Sequence, residues 1–228
     1  MEGMELSRGV IVDLDFAYFD GATLLFEAAR KVLGEAGVEL DVKREALHLV
    51  GGNYQGGISE LFAEAGKEVD AVACAHAIAD AFRGALEAEL AAKGISEGFR
   101  NFAKAIVDKG AKVVLDSRIN ADVLKEALGD LAGDKVLPYA ETSVTYGGGK
   151  WDAWKRAARA TGLVDVLTSV VAGSGHGVKA ALIAGFSAVA VIHPHVAYQD
   201  FGGAEVVLKT FDAKGAAEIL RLIRVADA

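Results

Sequence analysis

GVIVDLDFAYFD, residues 9–20, begins as a buried strand and ends with three aspartates in eight residues, Asp13, Asp15 and Asp20. Three apolar residues followed by a carboxylate at position 13 form the pattern of a parallel strand that delivers an acid to its own C-terminal edge. Ligands of open α/β sheets bind at that edge. The acids are therefore expected at a site.

The sequence after this strand falls into two parts. Apolar residues recur at three- and four-residue intervals in TLLFEAARKVLGEAG (residues 23–37), ISELFAEAG (58–66) and VDAVACAHAIADAFRGALEAELAAKG (69–94), which predicts helices broken at glycines. No strand is expected there. From Ile95 onward helices alternate with apolar strands: FRNFAKAIVDKG leads to AKVVLDS, ADVLKEALGDLAG to KVLPY, WDAWKRAARATG to VLTSVVAG, and VKAALIAG to SAVAVI. AEVVLKTF and AAEILRLI close the series. The expected fold is an α/β, doubly wound (Rossmann-like) core with a parallel sheet, formed by residues 1–19 and 95–228. An all-helical cap, residues 20–94, is inserted in it.

Composition narrows the function classes. The chain has 228 residues, of which 52% are apolar and 25% charged, with only two prolines, so a globular chain with a substantial core is expected. A net charge of −8 argues against non-specific nucleic-acid binding, which needs clustered Lys and Arg, yet allows a small phosphorylated substrate. Cys74 is the single cysteine, so no disulfide framework is expected, and a buried thiol on a helix fits a reducing, cytoplasmic setting. MEGMELSRG lacks the basic-then-apolar order of a signal peptide. The apolar run AALIAGFSAVAVI, residues 180–192, is shorter than the ~20 residues of a membrane span and is expected to be helix, turn and strand.

The series DLD at a strand end, a helical insertion, AKVVLDS, GGGKWDAW and VAGSGHGVKAALIAGFSAVAVI resembles the haloacid dehalogenase superfamily over nearly the whole chain. More narrowly, it resembles helical-cap phosphoglycolate and sugar-phosphate phosphatases. The resemblance implies a hydrolase acting on a small phosphorylated metabolite. Asp13 would be the nucleophile forming an aspartyl-phosphate, and Asp15 the acid that protonates the leaving oxygen and later activates water. Positions two apart on an extended chain face the same side, as such a pair requires. Ser117 would hold a phosphoryl oxygen, and Lys150 would neutralise charge between nucleophile and phosphate. The implied cofactor is Mg²⁺, held by Asp13 and the backbone carbonyl of Asp15. Asn53, Tyr54 and Gln55, in GGNYQGGISELFAEAG, would be substrate-facing cap residues.

Several positions depart from the family pattern. Phe16 and Ala17 stand where the first motif continues with Gly and then Thr or Val. The fourth motif, which normally ends in Gly-Asp, is Ala172, Gly173, Ser174, Gly175, His176 and Gly177, without an acid. Mg²⁺ prefers one or two carboxylates in an octahedral oxygen shell, so weak binding is expected; Asp116 is a substitute ligand that strand alternation argues against, since its neighbour Ser117 claims the site-facing side. Lys150 falls about two residues later than the usual lysine, with Trp151 in place of proline. A second function therefore stands beside the hydrolase: a degenerate member that binds a ligand or partner without turnover. A metal-free dehalogenase is a third reading, and a phosphate-cradling turn at Gly173, Gly175 and Gly177 is another, although its spacing matches neither GxGxxG nor a P-loop. His176 is a candidate acid, base or phosphate contact. His193 and His195 are spaced for a metal but lack a third ligand. His48 and His76 are expected to be packed or capped in cap helices. Substrate identity and oligomeric state are not legible.

Overall fold

A computed structural model describes residues 7–50, 53–140 and 150–225. Gly51 and Gly52 of the expected cap turn, and the glycines 147–149 before Lys150, lie outside the described residues.

Among the described residues, six parallel strands form one sheet in the order β3-β2-β1-β4-β5-β6. They are β1 (Ser7–Asp13), β2 (Lys112–Ser117), β3 (Val136–Ala140), β4 (Leu163–Ala172), β5 (Ser187–Ala190) and β6 (Val206–Val207). Strand β1 lies at the centre, and its last five residues are buried, as expected of a strand covered on both faces. Side chains alternate across it. Val10 and Val12 join one apolar layer with Val113, Leu115 and Val171, whereas Ile11 joins the other with Val114, Val170 and Ala172.

Helices cover both faces of the sheet. The first layer contains Phe99, Phe102 and Ile106 of α5 (Glu97–Asp108), Leu124 and Leu128 of α6 (Ala121–Leu128), and Ala216 and Ile219 of α9 (Ala213–Leu222). Trp154 and Ala157 of α7 (Lys150–Thr161) and Val178 and Ala181 of α8 (Gly175–Ile183) fill the second. Fully burying one such large apolar side chain stabilises the fold by about 1.5–3 kcal/mol.

Between β1 and β2 the chain is helical: α1 (Gly21–Glu35), a short α2 (Val42–Arg44) running into a π-helical turn at Glu45–Leu49, α3 (Tyr54–Glu64) and α4 (Ala71–Lys93). Capping carboxylates and amides start these helices, with Asp20, Asp41, Asn53 and Asp70 accepting from backbone N–H groups of the first turns. Phe26, Leu33, Ile58, Leu61 and Ile78 form a separate apolar cluster within this insertion. The sequence had no signal for α2 and its π turn. The last strand is also shorter than AEVVLKTF suggests, because only Val206 and Val207 pair with β5.

The chain order places β2 and β3 on one side of β1 and β4 to β6 on the other, so the winding reverses between β1 and β4. A crevice opens at such a reversal, beyond the strands' C-terminal ends. Asp13 ends β1, and Gly173 follows the end of β4. Among the described residues, no helix is long and apolar enough to cross a membrane.

Candidate active site

Immediately after β1 the chain makes a single π-helical turn, Leu14–Tyr18, instead of continuing extended. Such turns are rare and concentrate at functional sites. Two glycines permit it. A Cβ on Gly173 would lie 1.7 Å from the Phe16 carbonyl oxygen, and one on Gly21 would lie 2.1 Å from the Asp15 carbonyl oxygen. Gly173 therefore stands where the resemblance places a metal-binding acid because the turn leaves no room for a side chain.

The turn brings Asp13 and Asp15 under the sheet edge, 2% and 1% exposed respectively. Asp13 accepts from the Lys150 ammonium. Asp15 is held by the Ser117 hydroxyl at 2.6 Å, the Arg118 backbone N–H at 3.1 Å and the Arg118 guanidinium at 2.9 Å. Ser117 Oγ in turn accepts from the Ile119 N–H at 3.0 Å. Phe16 is half-buried over both cations, its ring centroid 4.3 Å from Lys150 Nζ and 5.8 Å from the Arg118 guanidinium carbon. Cation–π attraction of this kind fixes the ring and the two cations together.

Asp116, the register partner of Asp13 on β2, is buried and accepts from Trp154 Nε1 at 2.9 Å. Burial pushes the Asp13 carboxyl up despite Lys150, and burial together with the charge of Asp13 pushes Asp116 up to about 7. A carboxyl whose folded pKa exceeds its unfolded value stabilises the fold below the unfolded pKa. That contribution is lost as pH rises through the folded pKa. For Asp116 the loss runs from about pH 4 to about pH 7. Asn at this position keeps an acceptor for Trp154. Asp116→Asn is therefore expected to raise stability at pH 8 by roughly 1–3 kcal/mol, with little change at pH 4, as read from urea unfolding across that range.

The structure thus brings together Asp13, Asp15, Ser117 and Lys150, and adds Arg118, Phe16, Asp116 and Trp154. Sequence reading considered Asp116 only as a metal ligand and missed Arg118 entirely. The one signal for Arg118 was its place directly after a strand-end serine. Asn53 caps α3 by accepting from the Gly56 N–H at 3.0 Å, Tyr54 is buried in the insertion's apolar cluster, and Gln55 is exposed. His48 lies between Glu60 and Glu64, whereas His76 is exposed rather than packed. His193 reaches the Ala17 carbonyl oxygen at 3.2 Å, and His195 pairs with Glu45 at 2.9 Å. The two histidines thus have different partners. Cys74 is partly buried on α4, and burial raises its thiol pKa.

The described residues do not fit an implied Mg²⁺. Asp13 is ion-paired, the Asp15 carboxylate is surrounded by donors, the Asp15 carbonyl packs on Gly21, and residues 172–177 offer no acid. Among the described residues, no three His, Cys, Asp or Glu side chains cluster as a metal site.

No protein-family model and no curated protein matches the sequence. Solved structures do. A β-phosphoglucomutase from Clostridium difficile superposes with a TM-score of 0.70 at 16% identity, covering 96% of this chain and 97% of that one. A HAD family hydrolase from Deinococcus radiodurans R1, with bound phosphate and sodium, gives 0.59 at 20% identity over 97% and 99% of the two chains. The chain has the haloacid dehalogenase fold. CbbY from Rhodobacter sphaeroides, in complex with xylulose-(1,5)bisphosphate, gives 0.64 at 19% identity over 90% and 95%. At these identities the likeness is one of fold. Within the haloacid dehalogenase fold, Asp13 ends the central strand at the C-terminal edge of the sheet.

Proposed function

We propose that this is a haloacid-dehalogenase-fold protein that binds a small ligand between sheet and helical insertion, residues 20–94, without turning over phosphate esters. One observation carries the reading: the donors that the resemblance assigns to a phosphoryl group are committed to the protein's own carboxylates. Ser117 donates to Asp15, and Lys150 to Asp13. Phosphoryl transfer depends on donors and cations aimed at the transferring group. A phosphate dianion entering here would have to displace buried, charge-assisted hydrogen bonds while facing Asp13, Asp15 and Asp116. Such bonds are worth about 1.5–3 kcal/mol each.

The test is hydrolysis of a generic aryl phosphate and a panel of sugar phosphates, with and without Mg²⁺, by wild type and Asp13→Asn. Wild type is expected to show no turnover above the variant. Mg²⁺-dependent turnover that vanishes in Asp13→Asn would overturn the reading. It would favour a second one, supported by the Asp13–Lys150 pair: a hydrolase attacking through Asp13, in which Asp15 leaves Ser117 and Arg118 to act as acid and base.

A further inference from the structure

Phe16 of the π-helical turn also lines a pocket of about 140 Å³. Phe16, Ala22, Leu25 and Leu49 belong to its apolar lining, and Glu45 and His195 to its polar lining. The insertion contributes Glu45 and the sheet side contributes His195, so their 2.9 Å pair joins the two halves. The volume is close to that of a cavity of about 150 Å³ known to take benzene. An occupant of one small ring or short chain fits.

The polar groups decide its chemistry. Among the described residues no Lys or Arg lines the pocket, which disfavours phosphate or carboxylate. Among the described residues its only formal anion is Glu45, 7% exposed. His195 occupies Glu45 Oε2, while Oε1 has no hydrogen-bond partner among the described residues. Burial raises the Glu45 carboxyl more than His195 lowers it, so this carboxylate is incompletely compensated. Several other polar atoms are already used. Gln199 Oε1 accepts from the Gly175 N–H at 2.9 Å, and Ser174 Oγ from the Gly177 N–H at 3.0 Å. An ammonium group at Glu45 Oε1 would complete the carboxylate's solvation, with its apolar body against Phe16, Leu25 and Leu49.

We infer that this pocket binds a small primary amine with an apolar or aromatic body, held by Glu45. This rests on the proposed ligand-binding role and names its ligand class, yet it is tested by binding alone. Failure here would leave the hydrolysis result standing, and turnover of phosphate esters would leave this result standing.

The experiment is isothermal titration of the full chain at pH 7.5 with benzylamine, benzyl alcohol, benzoate and inorganic phosphate. Benzylamine is expected to bind at least about tenfold tighter than benzyl alcohol, with no heat from benzoate or phosphate. Glu45→Gln should reduce benzylamine affinity about tenfold or more and leave benzyl alcohol unchanged. Because Glu45→Gln also alters the His195 pair, Ala22→Leu serves as a second variant, filling the pocket without touching that pair. It should abolish binding of both neutral and cationic probes. Benzoate or phosphate binding as tightly as benzylamine, no binding of benzylamine, or benzylamine binding untouched by either variant would each overturn the assignment.

Discussion

Gly173→Asp is expected to destabilise the fold rather than gain a metal site. From sequence the substitution looks like a repair, because it restores an acid where the haloacid dehalogenase pattern has one. The structure gives the opposite sign. Any Cβ at position 173 would lie 1.7 Å from the Phe16 carbonyl oxygen and 2.6 Å from the Ala17 nitrogen, both backbone atoms of the π-helical turn. A flexible side chain could swing away; a backbone turn anchored by β1 cannot without moving Asp13, Asp15 and Phe16. Overpacking in a core costs about 1–3 kcal/mol when side chains can adjust, so a clash with backbone should reach about 3 kcal/mol or more. For a chain of this size that is a fall in Tm of roughly 6–12 °C, or loss of soluble protein. Gly173→Ala should fall by a similar amount, which separates the steric cause from the added charge. A Gly173→Asp protein with wild-type Tm and tight Mg²⁺ binding would show that the turn re-forms easily.

This case also shows how far the sequence can be read. The parallel sheet was legible because β1, β2 and β4 are rich in Val, Ile, Leu and Ala, with Asp13 and Ser117 ending the first two and Gly173 following the third, and period and composition survive in any register. The pairing of Asp13 with Lys150 was legible from motif order. The π turn was not, since its cause is an i-to-distant-residue fit between Phe16 and Gly173, which no local propensity reports. Arg118 was missed for the same reason: its guanidinium reaches Asp15, 103 positions earlier. The substitutions at Phe16, Ala17 and Gly173 looked like three separate losses. In the structure they are parts of one local arrangement, in which Phe16 covers Lys150 and its carbonyl occupies the space a side chain at 173 would need. The pocket lined by Glu45 and His195 lay beyond sequence reading altogether, because one residue sits in an unrecognised π-helical turn and the other in a short 3-10 turn, Pro194–Val196, after β5.

Lys150→Met should be the most pH-dependent of the single substitutions at the site. Asp13 is 2% exposed and feels the like charges of Asp15 and Asp116, and Lys150 is the strongest influence keeping its carboxyl from rising further. Removing one partner of a buried pair leaves an uncompensated charge and costs about 3–5 kcal/mol. The protein can escape part of that cost only by protonating Asp13. The sign follows from linkage: with Lys150 gone the folded pKa of Asp13 rises further above its unfolded value, so stability is retained at low pH and lost as pH rises through the new folded pKa. Urea unfolding should therefore find Lys150→Met near wild type at pH 4.5 and weaker by about 3 kcal/mol or more at pH 8. The double variant Asp13→Asn/Lys150→Met removes both charges at once. It should recover most of the loss at pH 8 and show a flatter profile, since neutral replacement of a buried pair is often close to neutral in stability. Equal stability of Lys150→Met and wild type at pH 8 would mean that Asp13 is already protonated or hydrated there. The internal charge lock on which the non-catalytic reading depends would then be absent.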